Sequence, residues 1–599
     1  MRISTSLSKR VCLRALTIIG LADLFILQYW MRRSPFNYDA QHAYIPLAQR
    51  LLSEGPAFFL SPEAIHVPPF AFVWPALFGA DLGTQKLVSI ALSLSVVAIL
   101  FRTGSLLHSP VAGLLCAAAY AFSPLVWPLS STAGVEPLFL FLTTCWIWCL
   151  AEGTAGRSWA FVGAGIAIGL AALTRATSAY FLPFIAIMAV VLSRADKNNR
   201  NLWCRIFYTH ALAIMMVAPV VAANAFRYGL YAISTGAGAA LFLGNHPLVY
   251  GFEQHYFDSA LDLAAVMPPG MSHLDIRGDR MLTQVGRFML ATFDPSFVAK
   301  MYAHKLFAFL FVTNREWVEP PAYLRAYRIL LYVLAAASWG RTMKQPVLLC
   351  VLASLAFQTV LHVPALFSFR YSVLTLDVGL CLLAGLGLAQ MLEVESAARL
   401  RWSATAFACL GLVGVWHATA YQNFPQINLY EVPRVTERHF TGEMLPILRV
   451  DRMSRLGNGH YRFDGAPAVM EIDLSGSKDF HPYAQEYVSL IIAGTASGFP
   501  HKTCNDFYAS YRPKDSAPGQ FGPAQRVEWL RLANERRAVI GGYWKLRMRG
   551  PGSLRLTFDC PAGTDWQITG LEIVRPTVGS EYRTAYLHSI GKDDWGDTP

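Results

Sequence analysis

The sequence predicts a polytopic α-helical membrane protein of about 11–13 spans, followed by a soluble β-rich domain resembling a β-sandwich. Three observations carry this. Of the 599 residues 54% are hydrophobic and only 15% charged, against roughly 25% charged in soluble domains, and the mean hydropathy is +0.35. Eleven apolar runs are long enough, or nearly so, to cross a bilayer. From Tyr421 onward the composition changes: 21 Lys and Arg stand against 20 Asp and Glu there, compared with 29 against 19 before it.

In chain order, residues 1–14 carry Arg2, Lys9, Arg10 and Arg14 ahead of an apolar run that ends at Met31-Arg32-Arg33. No small-residue cleavage site follows, so the run reads as a retained anchor. Asp39 then opens a new helix whose apolar face is Tyr44, Leu47, Ala48, Leu51 and Leu52, with Gly55 as its stop. Asp39 alone reads equally as that helix's N-cap. Further spans begin near residues 85, 111, 137, 159, 178, 206, 323, 346, 371 and 403. Residues 301–312, holding His304 and Lys305, form a shorter apolar stretch.

Positive-inside bias orients the spans. The basic N-terminus is cytoplasmic, and the loop at 194–205 returns inside. Placing 301–312 on the outer surface as an interfacial helix keeps Arg341, Lys344, Arg399 and Arg401 inside. Residues 32–81, 227–322 and everything after 421 then face out. The expected organisation is a membrane domain at 1–421 and a periplasmic β-rich domain at 422–599, in a bacterial inner membrane.

In the C-terminal domain, strands are expected at 468–474, 487–492, 543–548, 553–558 and 566–574. Gly550-Pro551-Gly552 reads as a hairpin turn, and 524–538 as a single helix. Ten cysteines show no metal-type spacing, and eight of them lie in or beside apolar segments. The remaining two, Cys504 and Cys560, are expected to form a disulfide in the oxidising periplasm.

Inside the spans, charge is nearly absent apart from Asp23 and Asp377. An ion-coupled lipid-sugar transporter or flippase would need ionisable groups along a central path. A non-catalytic membrane scaffold presenting the β domain has no reason to gather polar residues on one face. The notable polar side chains do gather at the outer helix ends: Asp39, His66, Glu136, Arg175, Asn245, His246 and Arg370 beside Tyr371. Carboxylates and cations at one membrane surface suit a substrate with an anionic head and a lipid tail. No basic run interleaved with aromatics points to nucleic acid, and membrane lipid is the other expected contact.

The ordered pieces are Asp39 with Tyr44 and residues 48–55, His66-Val67-Pro68-Pro69, Gly134-Val135-Glu136-Pro137-Leu138-Phe139, residues 169–175 ending in Thr174-Arg175, Leu243-Gly244-Asn245-His246-Pro247 with Gly251, and Phe369-Arg370-Tyr371. Over residues 10–420 the chain resembles the GT-C membrane glycosyltransferases, in particular the protein O-mannosyltransferases and the lipid A aminoarabinose transferase. The resemblance implies inverting transfer of a sugar from a polyprenyl phosphate to an acceptor hydroxyl on a glycan, lipid or protein, at the outer side. It makes Asp39 the general base, with Glu136 as a second catalytic carboxylate. Tyr44, His66, Arg175, Asn245, His246, Lys305, Arg370 and Tyr371 are then substrate-binding candidates. The chain departs from the family pattern at Ala40, where a second acidic residue is common, and at His66-Val67, where a Lys often precedes the Pro pair. No Asp-x-Asp motif stands near the site, so no obligatory metal or other required cofactor is expected.

Overall fold

The computed structural model describes residues 9–33, 39–246, 266–268, 271–311, 322–366, 368–393, 434–441, 443–474, 488–497, 506–513, 521, 525–528, 530–531, 538–546, 552–576, 580–590 and 592. The membrane part is a helical bundle: α1 (Lys9–Arg33), α2 (Ile45–Glu54), α3 (Pro69–Leu77), α4 (Leu82–Leu107), α5 (Pro110–Ala121), α6 (Trp127–Ser130), α7 (Glu136–Thr154), α8 (Ala160–Thr174), α9 (Thr177–Ala195), α10 (Arg200–Tyr228), α11 (Ala237–Asn245), α12 (Ile276–Thr292), α13 (Pro295–Phe311), α14 (Ala322–Ala337), α15 (Trp339–Thr342), α16 (Pro346–His362) and α17 (Phe369–Glu393). Six of these elements, α1, α4, α7, α9, α10 and α17, are long and apolar enough to cross a membrane; α5, α8 and α16 are shorter apolar helices. The expected span near residue 403 lies outside the described residues.

Helix ends follow local chemistry. Asp81 and Ser109 cap α4 and α5 by accepting from Thr84 N and Ala112 N. Gly55, at φ 65°, ends α2 as expected. Leu47 and Ala48 are buried on that helix, but Leu52 points outward and is exposed. The bundle core is continuous from Leu92 through Trp146 and Phe181 to the α17 residues Val373–Ala389.

Over residues 301–311, α13 is packed into the protein. Met301, His304, Lys305, Phe307, Ala308, Phe309 and Phe311 are all buried, which covers most of the helix circumference. A surface helix buries one stripe; this one packs against α14, α16 and α17.

Beyond residue 433 the chain forms two antiparallel sheets. One has β3 (Met453–Gly457), β4 (His460–Phe463), β12 (Asp565–Pro576), β6 (Val488–Ser497), β10 (Ala538–Leu546) and β9 (Leu530–Arg531) in spatial order, with β1 (Arg434–Thr441) also on β12. The other has β2 (Ile447–Asp451), β5 (Ala468–Asp473), β11 (Gly552–Phe558), β7 (Asp506–Pro513) and β8 (Gln525–Glu528). Alternating residues from both sheets share one core. Tyr461, Phe463, Trp566 and Ile568 meet Met470, Ile472, Leu554, Leu556 and Phe558, and the Phe558 and Trp566 rings lie 5.0 Å apart. This is a sandwich.

Two expectations fail here. Residues 524–538 hold β8 and β9 rather than a helix. Their helix-forming composition is overridden by pairing with β7 and β10 at sheet edges. Nor is 550–552 a hairpin turn, because β10 pairs with β6 and β9 while β11 pairs with β5 and β7. The two strands belong to different sheets, and residues 550 and 551 lie outside the described set. Gly552 itself sits in β11, where a Cβ would collide with Arg512 O.

A terminal helix, α18 (Ser580–Ser589), returns to the membrane part. Leu587 is buried with Met281, Leu282 and Val285 of α12, and Tyr586 lies edge-on to Phe288. Cys560 is buried and disulfide-bonded; Cys504 lies outside the described residues.

Candidate active site

Asp39 takes helical backbone angles and makes no side-chain cap bond, so the N-cap reading does not describe it. Instead its Oδ2 accepts from Arg370 Nη1 at 2.6 Å. Arg370 is the second residue of α17. A cation there opposes the positive end of the helix dipole, and carboxylates must offset both. Glu136, the first residue of α7 and buried, supplies the second one. Its Oε1 is 3.5 Å from Arg370 Nη1 and 3.8 Å from Arg175 Nη1. Arg175 closes α8 with extended backbone angles. Its guanidinium lies 4.9 Å from the Tyr371 ring centroid. Two arginines and two carboxylates from four separate segments therefore form one cluster.

Asp39, Arg175 and Arg370 of this cluster line a cavity of about 610 Å³, together with Tyr44, His66 and Tyr371. Apolar residues line it as well, among them Leu182 and Pro183 of α9 and Ile214, Val217 and Val221 of α10. Glu136 does not line the cavity. Burial, with Asp39 and Glu136 adding, pushes the Tyr44 phenol well above its usual value, so it remains a donor.

His66 follows a short 3₁₀ turn (Pro62–Ile65). Its Nε2 is 3.6 Å from Asp275 Oδ1. Burial lowers the imidazole pKa, while Asp275 and Glu63 pull the other way. Asp275, just before α12, escaped the sequence reading; its other oxygen accepts from Ser272 N. Asp279 ties the facing loop to α12, accepting from Gly236 N at 2.9 Å and Gly238 N at 2.7 Å.

Asn245, His246 and Lys305 do not line the cavity. The Asn245 Nδ2 donates to Leu241 O at 2.7 Å and Pro364 O at 2.9 Å. Lys305 Nζ donates to Gly244 O at 2.7 Å. His246 is buried against Phe242, with ring centroids 5.5 Å apart. Through its bond to Pro364 O, Asn245 ties the end of α11 to the segment that precedes α17. Among the described residues, no three His, Cys, Asp or Glu side chains converge as metal ligands.

Residues 68–222 match the family model for dolichyl-phosphate-mannose-protein mannosyltransferase. That stretch contains Glu136 and Arg175 but neither Asp39 nor Arg370. Among solved structures, the chain is similar to an oligosaccharyltransferase from Archaeoglobus fulgidus in the apo form, at 13% identity and a TM-score of 0.38 over 69% of this chain and 55% of that one. The archaeal oligosaccharyltransferase AglB from Archaeoglobus fulgidus in complex with an inhibitory peptide and a dolichol-phosphate matches at 13% identity and a TM-score of 0.40, covering 68% of this chain and 54% of that one. ArnT from Cupriavidus metallidurans bound to undecaprenyl phosphate matches at 12% identity and a TM-score of 0.27, covering 63% and 78%. The chain thus spans about half the length of the archaeal structures it matches. No curated protein matches the sequence.

Proposed function

We propose that this chain is an inverting glycosyltransferase, moving a sugar from a polyprenyl-phosphate donor to an acceptor hydroxyl at the outer face of a bacterial inner membrane. The observation that carries the reading is the Arg370 guanidinium, 2.6 Å from Asp39 and 3.5 Å from Glu136, in a cavity that apolar residues of α9 and α10 also line. Arginines there match a lipid phosphate, and the apolar α9 and α10 residues match its hydrocarbon tail. The family model over residues 68–222 is of a mannosyltransferase, which agrees with sugar transfer.

In this reading Asp39 takes the proton from the acceptor hydroxyl. The acceptor oxygen attacks the anomeric carbon from the face opposite the phosphate. The bond from that carbon to the phosphate oxygen breaks, inverting the configuration, and the lipid phosphate leaves against Arg370 and Arg175. Glu136 holds the two guanidiniums. General-base help of this kind is worth on the order of 10²–10⁴-fold. Because the arginines supply the neutralising charge, transfer should persist in excess EDTA.

The test is binding of undecaprenyl phosphate to purified protein in nanodiscs. Arg370→Ala should weaken it by on the order of tenfold or more, as expected for a lost charge-assisted contact. Unchanged affinity would move the phosphate site elsewhere, with Arg175→Ala the next variant.

A further inference from the structure

The segment carrying Arg370 is held by polar residues that never touch the cavity. We infer that the buried Arg328–Asp377 pair is a positioning device: it fixes the register of α17 so that Arg370 and Tyr371 face the cavity. The inference rests on the donor-phosphate reading above.

Arg328 lies in α14 and is fully buried, as is Asp377 in α17; Nη2 and Oδ1 are 2.6 Å apart. Arg328 Nη1 also donates to Ser372 Oγ at 3.2 Å. One guanidinium therefore grips α17 at two points five residues apart. The Ser372 hydroxyl in turn donates to Phe309 O of α13, so three helices meet at one knot. Asp377 is seven residues, about two turns, beyond Arg370, which puts both on one face of the helix. Any rotation that moves Asp377 off Arg328 also swings Arg370 away from Asp39.

Apolar packing along α17 is extensive; at Gly385 the helix backbone packs directly on Cys116, and at Gly387 on Leu334 O, so a Cβ at either would collide. A buried ion pair adds little net stability over apolar residues of similar volume. It does penalise every register that strands a charge in hydrocarbon. The segment before Arg370 is braced as well. The Gly244 backbone abuts Ala365 and Leu366, Asn245 bonds Pro364 O, and His362 lies between Phe309 and Tyr371, with ring centroids 5.5 and 5.6 Å away.

The test uses the full chain in nanodiscs, with undecaprenyl phosphate as probe. The double variant Arg328→Met with Asp377→Leu removes both charges and leaves neither stranded. It should melt near the wild-type temperature, bind undecaprenyl phosphate on the order of tenfold or more weakly, and show faster amide exchange over residues 364–375. Wild-type binding together with unchanged exchange overturns the inference; so does a general loss of folding, which makes the pair a stability element instead. If Arg370→Ala binds the probe as wild type does, the phosphate reading fails by itself. Exchange over 364–375 then decides the positioning role independently.

Discussion

Arg370 both serves and restrains the proposed base. Held 2.6 Å from Asp39, it occupies one of that carboxylate's oxygens. In the proposed reading, a donor phosphate would compete for the guanidinium and free Asp39 for the acceptor. His66 adds a titratable cation on the same cavity. Burial lowers its pKa from the usual histidine value, about 6.5, so its positive charge grows as pH falls. The contribution of His66 to undecaprenyl phosphate binding should therefore be larger at pH 5.5 than at pH 7.5, against the loss of charge from the ligand's own titration. An identical pH profile for His66→Gln and wild type would exclude His66 from the phosphate field. Asp39, Glu136, Arg175 and Arg370 were legible in the sequence because each ends or begins an apolar run, where a charge needs a reason. Asp275 was not, since it sits in a polar stretch that offers no contrast. Arg328 was not, because with Arg325 it reads as the basic edge of the span that begins near residue 323.

At the scale of elements, apolar length located α1, α4, α5, α7, α8, α9, α10, α14, α16 and α17, and strict alternation located β5, β11 and β12. Alternation failed where partners decide the outcome: β8 and β9 carry helix-forming residues yet are short edge strands. It failed again at 550–552, since Gly and Pro mark a break in a strand without saying which sheet follows. The sandwich core predicts a measurable cost. Trp566 is buried between the sheets, and Trp566→Ala should destabilise the domain by about 3–5 kcal/mol, read by denaturant unfolding. Gly244→Ala should act on the membrane part: a Cβ there meets the Ala365 and Leu366 backbone, and overpacking of this kind costs about 1–3 kcal/mol. A thermal shift smaller than measurement error would mean that this wall yields freely.

For the whole molecule, the proposal needs the cavity mouth and the sandwich on the outer side. α18 joins them, seating Leu587 against α12, just beyond the Asp275 that faces His66. Sidedness can be read by thiol labelling of intact cells. Cys560 should label only after reduction and without breaching the inner membrane; labelling that requires a breach would reverse the topology and the site with it. The most direct test of the central claim is sugar transfer by the purified intact chain in proteoliposomes supplied with radiolabelled polyprenyl-phosphate sugars, comparing wild type with Asp39→Asn. The account expects the variant to fold, insert and bind undecaprenyl phosphate while transfer falls by on the order of 10²-fold or more; near-normal transfer by Asp39→Asn would contradict it.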